Sequence, residues 1–370
     1  MRAARHPREF GESFGHRDAH DARHRTGQLA RQAVARAQAR RGQHAARALC
    51  PAAGDRLADA VPRQRRGVVL HRRRLQHRRR QVGHLRSAVQ PSAFLFGQPL
   101  GDYAALAGHA DELGYESVWV ADHLVAPIEF APNYPYRDTG RPSFVPETPF
   151  ADPLVLAAQL GAVTRRLLLG IGVLVLPLRN PFVAAKAAAT AQLLSGGRLL
   201  LGVGVGWMKE EFDAVGEPFA RRAARMEEMI AVMRRLWSGE PVEHAGEWYR
   251  FAKLQMSPGV PGGLPVLVGG HSEPAVRRAA RIGEGWCGPP CTLADNQAHR
   301  DLIRQELRAA GRDERSFGLW VRTNEAATRD LVSRYRDAGF EHLILTMPLA
   351  LDSLAGKREW LAEVGDWYRR

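Results

Sequence analysis

Ser195-Gly196-Gly197-Arg198-Leu199-Leu200-Leu201-Gly202-Val203-Gly204-Val205-Gly206-Trp207 sets a short apolar run between a Gly-Gly pair and three alternating glycines. An apolar run bounded by turn residues predicts a strand buried on both faces. Helical patterns stand on either side, Asn180 to Leu194 before it and Met208 to Gly239 after it. A strand between two crossover helices belongs to a parallel sheet. Gly202, Gly204 and Gly206 leave the carboxyl end of this strand without side chains. Either a flat ring lies there against bare backbone, or the glycines serve a tight strand-to-helix turn. A dinucleotide-binding fingerprint is excluded, because its third glycine would fall on Trp207.

Outward from this strand the same unit recurs. Ala93 to Gly97, Ser117 to Ala121, Arg166 to Gly172, Pro265 to Val268, Gly285 to Gly288, Phe317 to Val321 and His342 to Thr346 are the other apolar runs. Helix signals separate them. Tyr103, Leu106, Ala110 and Leu113 fall at helical spacing before Gly114, and Asp152-Pro153 and Ser272-Glu273-Pro274 read as helix starts. Met226, Met229, Ile230, Met233, Leu236 and Trp237 form a stripe suited to packing on a sheet. Residues 239–263 read as an irregular excursion. Eight strand–helix units predict an α/β fold, a (β/α)8 TIM barrel over residues 91–370.

Charge divides the chain at the same place. The net charge is +14, yet residues 1–90 alone hold 22 arginines, no lysine and 6 acids, so the remainder is slightly acidic. That leader has no Ile, Asn, Trp or Tyr and clusters arginine at 72–74 and 78–80. With so little to bury it is expected to be disordered. A phosphate-binding arm, a transit peptide, or a stretch that is no part of the working protein are its three readings. The absence of interleaved aromatics argues against a nucleic-acid partner, and the composition favours the last reading. Cys50, Cys287 and Cys291 suit a reducing compartment, and no second Cys/His pair completes a metal site. No stretch reaches the length of a membrane span. The expectation is a soluble, cytoplasmic protein without a bound metal.

In a barrel of this kind the chemistry lies at the carboxyl ends of the strands. Asp122-His123 follow the second strand, and an Asp-His pair at the mouth is placed to move a proton. The 27 residues from Leu124 to Phe150 carry six prolines and five aromatics, including Tyr134, which suits a lid. Gly172-Val173-Leu174-Val175 end the third strand with apolar groups fit to back an aromatic ring. Gly269-Gly270-His271-Ser272 lead into a helix whose free N–H groups suit an anion.

Together these residues resemble the luciferase-like monooxygenase superfamily, most closely its coenzyme F420-dependent oxidoreductases. The blocks that carry the likeness are ELGYESVWVADHLVAP (112–127), YPYRDTGRPS (134–143), DPLVLAAQLGAVTRRLLLGIGVLVLPLRNPFVAAK (152–186), SGGRLLLGVGVGWMKEEF (195–212) and PVLVGGHSEPAVRRAARIGEGW (265–286). The likeness implies a deazaflavin ring on the strand ends, moving a hydride to or from an organic small molecule. It implies a catalytic role for His123 and cofactor contacts from Asp122, Gly172, Val173, Val175, Gly206, Gly269, Gly270 and Ser272, with a backbone distortion near Gly172-Val173. Tyr134, Arg179 and Arg198 are candidates for the substrate or an anionic tail. The family's Thr-Leu-Asp before SGGR is here Thr190-Ala191-Gln192, and the C-terminal third is short for the family. A homodimer is implied, and the aromatic lid suggests a bulky, uncharged substrate. The alternatives are an FMN-dependent monooxygenase of the same superfamily, a non-catalytic flavin or deazaflavin carrier, or a nucleic-acid binder built on the basic leader.

Overall fold

The computed structural model describes residues 89–369. The expectations for the arginine-rich leader lie outside these residues, except at its last two positions. Val89 is buried, and Gln90 opens the first strand opposite His342.

Eight parallel strands close into a barrel: β1 (Gln90–Phe94), β2 (Ser117–Val120), β3 (Leu168–Val175), β4 (Leu199–Gly204), β7 (Val266–Gly269), β8 (Gly285–Cys291), β9 (Gly318–Thr323) and β10 (His342–Thr346). The ring closes where β10 pairs with β1. The helices that cover it are α1 (Tyr103–Leu113), α2 (Pro153–Val163), α3 (Pro181–Leu194), α4 (Lys209–Val215), α5 (Arg222–Trp237), α6 (Glu273–Ile282), α7 (Leu293–Ala309), α8 (Arg329–Asp337) and α9 (Leu354–Trp367). Strands buried on both faces cannot show polar alternation, which is why they read as solid apolar runs. Local signals start the helices as expected. The Asp152 carboxylate accepts from the N–H groups of Leu154 and Val155, and Asn180 does the same for Phe182 and Val183.

The first strand runs Gln90–Phe94 where Ala93 to Gly97 was expected, and two further elements differ in kind from the sequence expectation. The helix after β4 is two helices, because Gly216 takes a left-handed φ of 72° and ends α4. Residues 239–263 are not irregular throughout: β5 (Val242–Ala245) and β6 (Arg250–Leu254) pair as a hairpin. Its tip is held from outside, the Glu228 carboxylate of α5 accepting from the N–H groups of Glu247, Trp248 and Tyr249. Turn chemistry within 239–263 could not reveal a clasp supplied by another helix.

Most of the core lies between strands and helices, and the methionine stripe of α5 is buried there. A second cluster fills the barrel itself with Phe94, Trp119, Leu200, Leu267, Cys287, Trp320 and Ile344. Trp119 occupies the place a side chain at Gly170 would need. Its indole N–H donates to Ser117 Oγ at 2.8 Å, and that hydroxyl donates to Ser92 Oγ at 2.8 Å. The polar atom of a large aromatic is thus satisfied inside an apolar plug. No helix among the described residues is long and apolar enough to cross a membrane.

Candidate active site

The strand ends open on a cavity of about 380 Å³, within the range of small-molecule sites. Every residue expected at the site lines it except Arg179, and Arg198 is also absent from its wall. His123, Asp122, Gly172, Val173, Val175, Gly206, Gly269, Gly270, Ser272 and Tyr134 converge although they come from different strand–loop units.

His123 follows β2 and is nearly enclosed, its side chain 12% exposed. Its Nδ1 stands 3.1 Å from Glu211 Oε2, and Glu211 Oε1 accepts from the Leu124 N–H at 2.8 Å. Facing an ionised carboxylate, which can only accept, Nδ1 would carry the proton and leave Nε2 to exchange one. Phe144 and Phe150 pack on the ring at 5.0 Å, with Trp207 at 6.1 Å. Glu211 was missed by sequence reasoning. It sits in the first turn of α4, and its only signal was an acid just beyond the strand-four glycines.

Asp122 lines the cavity with its carboxylate already engaged. Its two oxygens accept from Arg179 Nη1 at 2.6 Å and Nη2 at 2.9 Å, and Oδ2 also takes the Val175 N–H at 2.8 Å. Burial pushes this carboxyl up, and the guanidinium opposes it. With a bidentate cation in place we read it as the anionic half of the pair. The result ties the end of β2 to the end of β3. Arg179, which also reaches Asp152 at 3.2 Å, is thereby engaged by two carboxylates and stands outside the cavity wall. Arg198 is corrected likewise. It lies before β4, at the opposite end of the barrel, and donates to the carbonyls of Gly161, Thr164, Leu167 and Ser195 and to Thr164 Oγ1.

The glycine rim also works differently from the sequence picture. The β3–β4 register shifts between Ile171 and Leu174, and the peptide between Gly172 and Val173 is cis. A methyl group added at Gly202 would meet the Ile171 carbonyl, one at Gly204 would meet the Val173 side chain, and one at Gly269 would come within 2.8 Å of it. These glycines make room for the distorted end of β3. A flat ligand would therefore rest on Val173, which occupies the glycine hollow, rather than on bare backbone.

Across the mouth, the segment 124–150 covers the cavity as a lid of irregular backbone. Tyr134 packs on Trp207 at 5.0 Å and Tyr136 on His271 at 5.0 Å. At the start of α6, Ser272 is the N-cap residue, but its side chain makes no capping bond. That leaves its hydroxyl and the first N–H groups of the helix to face an anion.

Two further cations line the wall. Arg222 donates from Nε to the Gly206 carbonyl at 3.0 Å and stacks on Phe219, its Cζ 3.7 Å from the ring centre. Arg322 lies over Phe94 at 3.8 Å. Neither forms an ion pair among the described residues, and burial pulls the proton affinity of both down. Gln192 is buried, and its Oε1 accepts the Leu199 N–H at 2.9 Å. Cys287 and Cys291 are free thiols, and no group of three metal-binding side chains occurs among the described residues.

Comparison with known proteins agrees with this architecture. The family described as luciferase-like monooxygenase matches residues 74–364. An uncharacterised protein of Mycobacterium tuberculosis is 38% identical over 246 residues, 66% of this chain and 84% of its own. An F420-dependent glucose-6-phosphate dehydrogenase of Nocardia farcinica is 34% identical over 211 residues, 55% of this chain and 57% of that one. The solved structure of an F420-dependent secondary alcohol dehydrogenase, in complex with an F420-acetone adduct, superposes with a TM-score of 0.62 at 17% identity. It covers 76% of this chain and 100% of that one, a likeness of fold alone.

Proposed function

The chain belongs to the luciferase-like monooxygenase family, and from that premise we propose that it is an oxidoreductase transferring a hydride between coenzyme F420 and an organic small molecule. The observation that carries this reading is His123, set in the wall of a lidded cavity and backed by the Glu211 carboxylate. The glycine hollow filled by Val173 supplies a smooth apolar face of the kind a planar ring needs. When bound, the deazaflavin would supply the two-electron chemistry.

The chain's own residues then divide the remaining work. Val173 and the adjoining backbone of β4 and β7 would back the ring. Ser272 and the first N–H groups of α6, with Arg222, would hold the anionic tail in place of Arg179. Phe144, Tyr134 and Trp207 exclude water. His123 Nε2 gives or takes the proton that accompanies the hydride, while Glu211 fixes the tautomer and balances the charge that His123 acquires. Asp122 keeps the ends of β2 and β3 in register through Arg179.

The test is a fluorescence titration of the full chain with F420 and, separately, with FMN. Saturable F420 binding at least tenfold tighter than FMN supports the reading. Tighter FMN binding replaces it with a flavin monooxygenase, and binding of neither ends it. With any substrate that turns over, His123→Ala should lower the rate by about 10²-fold or more while F420 still binds. An unchanged rate would leave only a cofactor carrier.

A further inference from the structure

Arg322 is the cavity residue that the proposed chemistry does not use. It belongs to β9, which lies across the barrel from the β3–β4 wall. Its Nε is buried without a hydrogen-bond partner. Nη2 meets Thr346 Oγ1 only at 3.5 Å, the outer limit of a hydrogen bond. The groups close enough to lend it negative charge are Cys287, Cys291, Tyr134 and Tyr136. Burial pushes Cys287 up to about 12, Cys291 to about 11 and Tyr136 to about 12, and raises Tyr134 as well. All four are neutral at pH 7. The guanidinium is therefore a cation in an apolar wall, stacked on Phe94, with no counter-charge among the described residues.

A buried cation of this kind is matched when an anion arrives with its ligand, and a guanidinium presents a fork of donors suited to two oxygens at once. In the proposed function the cofactor's anionic end is held at the start of α6. We propose that Arg322 anchors the substrate, and that the cavity takes organic molecules carrying a carboxylate or phosphate whose oxygens dock on the guanidinium above Phe94. This rests on reading the cavity as a catalytic site, and it reverses the uncharged substrate suggested by the aromatic lid. Oxyanion at Arg322 and proton donor at His123 then hold the two ends of one substrate.

The experiment is calorimetric titration of the full chain with three probes of one shape: benzoate, phenyl phosphate and neutral benzamide. Wild type, Arg322→Gln and Arg322→Lys are compared, each with a thermal melt and an F420 titration. The expected result is at least tenfold preference of wild type for benzoate or phenyl phosphate over benzamide. The preference should be lost in Arg322→Gln and partly regained in Arg322→Lys, with F420 binding unchanged. The tighter of the two anions identifies the group. Equal binding of the three probes, no binding of any, or a preference that survives Arg322→Gln overturns the proposal. So does loss of F420 affinity in both variants with the anion preference intact, which would assign the guanidinium to the cofactor. Anion preference in a protein that binds neither F420 nor FMN would overturn the proposed redox function and leave the anion anchor standing.

Discussion

Two buried arginines mark the two ends of this barrel, and the chain treats them in opposite ways. At the amino end, Arg198 is 5% exposed and surrounded by backbone carbonyls and Thr164, with every nitrogen donating. At the carboxyl end, Arg322 has an orphaned Nε and one marginal contact. The same side chain is a fastener in one place and an open hand in the other. The contrast is one of particular groups: His342 is paired with Glu116 at 2.8 Å and stacked on Trp320 at the amino end, whereas at the mouth Arg179 and His123 have their acids but Arg222 and Arg322 form no ion pair among the described residues. For these two arginines, satisfaction more than burial separates a side chain that holds the fold from one open to a ligand.

Stability measurements on the two ends can break this division. Arg198→Met should be the most damaging, stranding several buried carbonyls at a loss of about 3 kcal/mol or more in urea unfolding. The benzoate preference should be untouched. A loss below about 1 kcal/mol would deny Arg198 its fastening role. Asp122→Asn comes next, at about 3 kcal/mol, because it strands the Arg179 cation in a buried position. Here the cavity itself should also loosen, read as weaker cofactor binding. Arg322→Met should change stability in the other direction, raising it by about 1 kcal/mol as an uncompensated cation is replaced by an apolar chain of similar reach. A destabilised Arg322→Met variant would show that the guanidinium is already satisfied.

The smallest effect concerns pH. Burial holds the His299 imidazole below its ordinary 6.5, against an opposing contact with the His271 backbone. The unfolded chain then binds the proton more readily than the folded one. Stability from this group is full above about 6.5 and declines as pH falls from there toward the lower folded value. His299→Gln should flatten that part of the stability–pH curve. An unaltered slope would place the pH sensitivity elsewhere.

Some of the site was legible in the chain itself. His123 stands directly after an apolar run, and Gly269-Gly270-His271-Ser272 stands before a helix start, so local order alone put both at strand ends. Arg322 left a subtler sign. Trp320 and Arg322 are two apart in a buried strand, so a charge shares the face of a barrel-filling tryptophan. In a chain so rich in arginine, that spacing carries little signal. Glu211 gave less still, since it lies 88 residues from the histidine it supports.

The primary structure by itself determined the number and kind of repeating units, because burial on both faces, helix caps and left-handed glycines are properties of neighbouring residues. It also determined which residue types crowd the strand ends. Which charge meets which was decided only by closure of the barrel. Pairing of Asp122 with Arg179, of His123 with Glu211, and the solitude of Arg322 depend on groups tens or hundreds of positions apart. Hydrogen bonds and charge compensation act through space over a few ångströms, and no local pattern records what will lie within that distance.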